Sequence, residues 1–407
     1  MRLPVGSKLL YGVVLVSFLS ILGNAVTRPI RPLYIVEVGA TTVQLGLIMA
    51  LPSMVSLLTR VPVSVLSKRL GKWRLILFSL SLSVATTAVF AFIYDPLWFF
   101  PIVPLAALSW PMLDLIAVTI VSDQSTPTTR GATIGIYFTS LGAAMLIGPL
   151  LSSFLTLFMG LRQLFLISTV FPILSLVVFL LWIKPREMEE SRMDNSTETE
   201  KGVGIWNSLT QVFKIRNVIA LCCARATFAL SMGVFSTIFP VYAQSELGFT
   251  PSLISLLFSI RGLTNFLSRM PAARLSDKIG RRKPFVFAYG IIIIAFILLA
   301  YTENSIFLMM IMALYGVGWG MRVVPSTALL SESVKSEDRP VALATLMTMF
   351  DVGVTTGALL AGFTATFISP PTLMLICAPI MLSATMIFLL LSKEIVNERT
   401  STITHTQ

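Results

Sequence analysis

The chain has few charged residues, a single histidine and only three cysteines. Charged side chains make up 12% of its 407 residues, about half the share of a soluble domain, so its surface is not that of a water-soluble protein. The one histidine, His405, lies in a polar tail, which disfavours histidine-based catalysis, metal binding or proton relay. The cysteines lie in apolar stretches and show neither a disulfide framework nor zinc spacing. We therefore expect no enzyme, no metal and no cofactor.

Apolar sequence is what the chain has in abundance. Hydrophobic residues make up 55% of it and the mean hydropathy is +0.86. Runs of roughly 20 apolar residues recur, each long enough to cross ~30 Å of hydrocarbon, and they lack the alternation of a membrane β-barrel. The sequence thus predicts an all-α integral membrane protein with twelve transmembrane helices. The predicted spans are 9–36, 43–66, 74–94, 97–122, 131–158, 161–183, 217–243, 251–272, 284–302, 305–331, 340–368 and 372–392.

Positive residues lie mostly in short loops on one side of these spans. The net charge of +11 is therefore a topology signal rather than a nucleic-acid-binding patch, and no nucleic-acid partner is expected. Under the positive-inside rule, this distribution predicts a multi-pass protein of the cell membrane with both termini in the cytoplasm. An even number of spans requires the same arrangement of the termini.

The two halves of the chain repeat each other. Gly71 returns as Gly280 and Trp110 as Trp319, each 209 positions later (280 − 71 and 319 − 110). A duplicated hydrophobic half is typical of transporters that hold a solute between two bundles. The predicted units are an N-terminal six-helix bundle at 1–183, a cytoplasmic linker at 184–216, a C-terminal six-helix bundle at 217–393 and a cytoplasmic tail at 394–407.

Two loops carry a recognisable signature. The second-half loop contains Asp277, Lys278, Gly280, Arg281 and Arg282. Here Gly280 suits a tight turn and the basic residues suit the surface of an anionic leaflet. This stretch resembles the loop signature of the major facilitator superfamily, and the twelve spans and central linker extend that resemblance over the whole chain. It implies two pseudo-symmetric six-helix bundles, alternating access, a small-molecule substrate and a functional monomer.

The first-half copy of the loop departs from the family pattern. It has Lys68 ahead of Gly71, where the family has an aspartate that latches the cytoplasmic gate. A lysine cannot accept the hydrogen bonds of that latch, so simple anchoring to the leaflet is the alternative role. An acidic and a basic residue also follow each of spans four and ten, at equivalent places in the repeat. The two residues of each pair either form a salt bridge at the cytoplasmic gate or are simply solvated loop residues. These pairs are Asp123 with Arg130 and Glu332 with Arg339.

Span five carries Gly142 and Gly148-Pro149. This resembles part of an element found in drug and metabolite antiporters, although Ala144, Ser152 and Ser153 replace three of its glycines. The alternative is that small residues simply let two helices approach closely.

Six ionisable residues fall inside the predicted spans, where each costs about 2.5–3.5 kcal/mol even on lenient insertion scales. They are Arg28, Asp114, Arg225, Arg261, Arg322 and Asp351. They occur in spans one, four, seven, eight, ten and eleven, and not in the four spans that the resembled fold turns toward lipid. We therefore predict that they form a substrate-binding or proton-coupling site. Asn24 and Asn265, each one helical turn from an arginine, are included in it.

The favoured function is proton-coupled efflux of a drug-like or metabolite compound, with Asp114 or Asp351 as the proton carrier. The surplus of arginine over aspartate supports an alternative, which is proton-coupled uptake of an organic anion. A membrane receptor or sensor that no longer transports is a third reading of the same scaffold. The partners expected are a small-molecule substrate, protons and membrane lipid.

Overall fold

The computed structural model describes residues 8–125, 129–185, 212–335 and 338–393. At a few positions inside helices, including Arg60, Lys68 and Arg130, the side chains are not described. The predictions for the Lys68 side chain and for the Asp123–Arg130 pair therefore lie outside the described residues. So do most of the predicted linker at 184–216 and the predicted tail at 394–407.

All the regular structure in the described residues is helical, which confirms the predicted fold class. The N-terminal half contains Lys8–Thr27, Arg31–Glu37, Thr42–Leu70, Lys72–Phe90, a short 3-10 turn at Pro96–Trp98, Phe99–Asp123, Arg130–Leu155, Leu161–Ser168 and Val170–Trp182. The C-terminal half contains Arg216–Ser245, Pro251–Ile279, Arg282–Tyr301, Ser305–Ser333, Arg339–Thr364 and Pro370–Leu391. These helices correspond in order to spans one to twelve. Spans one and six are each divided into two consecutive helices.

Eleven of the spans in the described residues are long and apolar enough to cross a membrane. The remaining long helix is span eight, Pro251–Ile279, which has 29 residues but carries Arg261 and Asn265 within its apolar stretch. Span one was predicted as one uninterrupted run, but its helix ends at Thr27 and resumes at Arg31. Pro29 lies in this gap and Pro32 in the first turn that follows, and a proline has no amide hydrogen to continue a helix.

Local sequence accounts for several helix ends. Thr41 begins span two with a capping box, in which its hydroxyl accepts from the Gln44 amide at 3.3 Å. Gly71 and Gly280 end spans two and eight with φ of 82° and 89°. With ψ of 152° and 173°, these glycines adopt a conformation almost reserved for glycine, which costs other residues roughly 1–3 kcal/mol. The glycine at each copy of the loop signature therefore lets the chain turn sharply into the next span.

The repeat in the sequence is also a repeat in the packing. In the N-terminal half, span one packs on span five and span two packs on span four. In the C-terminal half, the equivalent pairs are span seven with span eleven and span eight with span ten. Likewise, span three packs on span four and span nine on span ten. Each half is therefore a six-helix bundle with the same internal arrangement.

The two halves meet along two pseudo-equivalent seams, span two against span eleven and span five against span eight. At the first, a Cβ atom added to Gly46 would lie 2.5 Å from the Cα of Gly362. At the second, the Ser152 and Ser255 hydroxyl oxygens are 3.0 Å apart. These residues lie near the helix ends on the side opposite the first and last described residues, hereafter the far side. The halves are therefore closed against each other there.

Candidate functional site

A cavity of about 70 Å³ lies between the halves, enclosed by spans one, five, eight and ten. Its polar lining consists of Arg28, Arg261, Asn265 and Arg269, together with the Trp319 ring. None of the described residues that line it is acidic. Arg28 comes from the N-terminal half and the other polar residues come from the C-terminal half. The cavity is therefore a positively charged space shared by both bundles.

Arg261 is held in a box of aromatic rings. Its side chain is 5% exposed, and its guanidinium carbon lies 4.5 Å from the centroid of the Phe258 ring. The rings of Phe235, Tyr315 and Trp319 surround the same carbon at 5.3, 5.4 and 5.3 Å. Ring faces attract a cation and match the flat guanidinium. However, Nε and Nη1 have no hydrogen-bond partner among the described residues, so the box holds the charge but leaves these two donors unsatisfied.

Asn265 and Arg269 follow Arg261 on the same face of span eight, at spacings of four residues. Arg269 Nη2 donates to Asn265 Oδ1 at 2.9 Å. The Asn265 amide nitrogen and Arg269 Nε are buried and find no acceptor in the described part of the chain. The cavity wall formed by span eight therefore presents several unused donors.

Arg28 faces this wall from the N-terminal half, at the point where the first helix of span one ends. Its amide donates to the Asn24 carbonyl at 3.1 Å, which anchors the backbone. The side chains of Arg28 and Asn24 both keep exposed surface. Of the residues predicted as a site, the structure thus brings Arg28, Arg261 and Asn265 to one cavity.

A second group of predicted residues lies between spans seven, ten and eleven. Arg322 is 1% exposed, and its guanidinium carbon lies 3.9 Å from the centroid of the Phe228 ring. The Arg225 guanidinium carbon lies 4.7 Å from the centroid of the Phe350 ring. Arg225 is within electrostatic range of both Arg322 and Asp351. This group is therefore a buried charge cluster with aromatic walls.

Asp351 connects that cluster to the opposite half. Its side chain is 6% exposed, and its Oδ2 accepts a hydrogen bond from the Ser56 hydroxyl at 3.3 Å. Ser56 belongs to span two, so this bond crosses the seam between spans two and eleven. Asp114 lies elsewhere, in the N-terminal bundle, where its Oδ1 accepts from the Tyr137 hydroxyl at 2.7 Å.

The loop residues form ion pairs within each half, at positions that the repeat relates. Lys72 Nζ lies 2.8 Å from Asp123 Oδ2, and Arg281 Nη2 lies 3.1 Å from Glu332 Oε1. Arg281 also donates to Asp277, and this hydrogen bond is the main cause of its raised pKa. Each pair ties the loop after the second span of its half to the end of the fourth.

The remaining loop residues have other surroundings. Arg339 Nε donates to the Ser331 carbonyl at 3.0 Å, while the acid predicted to pair with it, Glu332, is held by Arg281. Arg282 donates to the Leu389 carbonyl at the end of span twelve. Lys278 is exposed.

The span-five element brings helices together. A Cβ atom on Gly148 would lie 2.4 Å from the Ala25 Cβ, so this glycine permits close contact with span one. A Cβ atom on Gly142 would lie 3.3 Å from the Phe266 ring of span eight, and Pro149 lines the cavity. These contacts fit the small-residue packing that the sequence left open as an alternative.

Several site residues were not predicted. The Phe258–Arg261–Asn265–Arg269 spacing of three and four residues marks one helix face, and this pattern would have added Arg269 and Phe258 to the site. No local signal distinguishes Ser56 or Phe235 from the many other serines and phenylalanines in apolar runs, because their roles depend on packing between distant spans.

Two equivalent six-helix bundles around a polar central cavity form an architecture that many secondary transporters share. The family model for the Major Facilitator Superfamily matches residues 13–224 and 221–405. The chain therefore belongs to the major facilitator superfamily, which confirms the family resemblance and the fold class.

Similar proteins include transporters of several kinds. The chain is 24% identical to the multi-drug resistance efflux pump PmrA of Streptococcus pneumoniae over 219 residues, which cover 53% of each chain. The match thus spans about half the length of that relative. It is 20% identical over 352 residues to an uncharacterized MFS-type transporter of Methanocaldococcus jannaschii, covering 86% of this chain and 89% of the relative.

Two solved structures show the same fold. The nucleoside transporter NupG superposes with a TM-score of 0.78 at 14% identity, covering 95% of this chain and 99% of NupG. A bacterial homolog of the human lysosomal transporter Spinster, in an inward-facing and unoccupied conformation, gives 0.79 at 14% identity, with 96% and 97% covered.

Proposed function

We propose that this protein is a proton-coupled exporter of a small organic solute, working by alternating access in the cell membrane with both termini in the cytoplasm. The basic residues in the loops on one side support this orientation. The solute occupies the cavity between the halves, and Asp351 carries the proton. The observation that carries the proposal is the hydrogen bond of Asp351 across the seam to Ser56.

Asp351 is suited to coupling because two interactions depend on its charge. As a carboxylate it accepts from Ser56 and attracts Arg225. Protonation removes the negative charge, weakens the attraction to Arg225 and turns a charge-assisted hydrogen bond into a weaker neutral one. Proton binding therefore alters the contact between spans two and eleven. A change at this seam is what movement of one half against the other requires.

The direction of transport is supported by two observations. The chain resembles an efflux pump over half its length, and span five resembles part of an antiporter element. With the termini in the cytoplasm, the closed far side faces outward, so the cavity in this conformation is shut off from the external medium. An exporter loads its solute, and an importer releases it, when the far side is closed, so this conformation is compatible with the proposed direction.

Everted vesicles from an expressing strain test this proposal. Respiration acidifies their lumen, a quenched acridine dye reports the acidity, and a panel of acidic, neutral and cationic aromatic compounds is added in turn. Export coupled to protons predicts dequenching with at least one compound, and the Asp351→Asn variant should abolish it. The control is Asp95→Asn, which changes an exposed acid at a helix cap and keeps a hydrogen-bond acceptor for the Leu97 amide.

Uptake of an organic anion is the second candidate, favoured by the three arginines that line the cavity. Symport moves protons in the opposite sense to exchange, so the sign of the dye response separates the two. Dequenching that persists in Asp351→Asn would rule out Asp351 as the carrier.

A further inference from the structure

We infer that the central cavity binds the anionic group of a planar, aromatic solute, with Arg261 and Arg28 as the two cationic contacts from opposite halves. This inference rests on the proposed function only in taking the cavity as the solute site. It assigns the chemical class of the solute: a carboxylate or phosphate-type group joined to a flat apolar ring.

The first argument is the charge balance of the cavity. Arg28, Arg261 and Arg269 line it, and none of its described lining residues is acidic. Like charges in a low-dielectric space repel strongly, and an anion placed among them removes that repulsion. A cationic solute would add to it. The cavity thus favours anions over neutral solutes and disfavours cations.

The second argument is the set of unused donors. Arg261 is 5% exposed, and its Nε and Nη1 have no hydrogen-bond partner in the described residues; neither do Asn265 Nδ2 and Arg269 Nε. Guanidinium and amide N–H groups from several side chains can each donate to an oxygen of a carboxylate or a phosphate group. Buried donors without acceptors are costly, and such an anion supplies the acceptors.

The third argument is the aromatic box. The rings around Arg261 fix the plane of its guanidinium, so its donors have a defined direction before a solute arrives. Two of these rings, Phe258 and Trp319, also line the cavity. A flat solute can stack on them while its anionic group reaches the arginines. An aliphatic anion would satisfy the charge but would not stack on the cavity side of these rings.

The fourth argument concerns the two halves. Arg28 directly follows the first helix of span one and Arg261 lies within span eight, so an anion between them bridges the bundles. Binding therefore adds an attraction between halves that repel each other there when the cavity is empty. The solute itself would thus favour conformations in which the bundles are close at this level.

The test is thermal unfolding of the purified full-length protein in detergent, titrated with three probes of one shape. Benzoate is anionic, benzamide neutral and benzamidine cationic. Benzoate should raise the unfolding temperature saturably, benzamide should do so at least tenfold more weakly, and benzamidine should not. Phenylphosphonate and inorganic phosphate, added in parallel, separate a requirement for the ring from a requirement for the anion alone.

Variants locate the effect. Arg261→Gln should weaken benzoate binding at least tenfold, while Arg261→Lys, which keeps the charge but loses the fork, should bind more tightly than Arg261→Gln. The control is Arg162→Gln: this arginine stacks on Tyr94 outside the cavity, at 4.0 Å from its ring centroid, and its loss should leave benzoate binding unchanged. If Arg261→Gln does not fold, Arg28→Gln takes its place, because the Arg28 side chain keeps exposed surface.

Equal stabilisation by benzamide or benzamidine, or undiminished benzoate binding in the cavity variants, would overturn the inference. Phosphate binding as tightly as phenylphosphonate would overturn the requirement for a ring. Binding in detergent needs no proton gradient, so failure here leaves the vesicle experiment standing. Conversely, benzoate binding without any proton movement would refute the proposed coupling alone.

Discussion

The seam between spans two and eleven offers a sharp test of how the halves close. A methyl group added at Gly46 would lie 2.5 Å from the Gly362 Cα and 2.7 Å from the Ala358 carbonyl oxygen. Carbon atoms pack at about 3.5–4.0 Å. The Gly46→Ala substitution therefore forces the two helices about 1–1.5 Å apart at the far side.

That displacement destabilises only the conformation in which the far side is closed. Overpacking a close contact costs typically 1–3 kcal/mol, and about 1.4 kcal/mol changes an equilibrium tenfold. We therefore expect Gly46→Ala to reduce the ratio of far-side-closed to far-side-open molecules by roughly 5- to 150-fold. Each bundle keeps its own packing, so thermal unfolding should change far less than the conformational balance.

Disulfide cross-linking at the second seam, span five against span eight, measures how often the far side is closed. Because the Ser152 and Ser255 hydroxyl oxygens are 3.0 Å apart, cysteines at both positions should form a disulfide readily in the closed conformation. The parent protein first has Cys222, Cys223 and Cys377 replaced by serine. Gly46→Ala should slow cross-linking. Gly135→Ala, at a helical position with no atom within 4 Å of the added methyl group, should leave it unchanged. An undiminished cross-linking rate in Gly46→Ala, or an equal loss in Gly135→Ala, would refute the reasoning.

Three further predictions concern stability and are all read by thermal or denaturant unfolding in detergent. Gly280→Ala should destabilise the protein by about 1–3 kcal/mol because φ and ψ at this turn are 89° and 173°; no loss would show that the turn relaxes. Removing Lys72 and Asp123 singly and together should give a coupling energy of about 0.2–1 kcal/mol that shrinks in high salt, because this pair is partly exposed. A salt-independent coupling would contradict that account. Tyr137→Phe should cost about 1.5–3 kcal/mol through loss of the bond to the Asp114 carboxylate, whereas Tyr94→Phe, at an exposed ring, should cost little.

The sequence predicts the helices and their order well because the thickness of the membrane hydrocarbon sets the length and apolarity of each span independently of the others. Helix lengths, loop glycines and the half-chain repeat are local or periodic signals, and they anticipate the two-bundle architecture. Span eight is instructive, since Arg261 and Asn265 lower its apolarity and also supply the cavity wall. The same polar residues that lower the apolarity of span eight therefore identify the candidate site.

Contacts between distant spans are harder to predict. Six ionisable residues were expected to form one site, and the structure separates them: Arg28 meets Arg261, Arg225 and Arg322 join Asp351, and Asp114 bonds Tyr137 within the N-terminal bundle. Depth along a helix follows from residue counting, but rotation about its axis depends on packing. Glu332 likewise takes Arg281 as its partner instead of the nearer Arg339 in sequence, because the loop after span eight reaches the end of span ten.

Close contacts at the two seams join small residues, Gly46 with Gly362 and Ser152 with Ser255, and this choice affects how easily the molecule can change shape. Small side chains bury little hydrocarbon, so parting them exposes little apolar area and costs little at about 25 cal/mol per Å². The free-energy gap between alternative arrangements can then stay within a few kcal/mol. A gap of that size is one that a single proton or a single bound molecule is able to reverse, whereas a leucine-rich boundary would lock the protein in one shape.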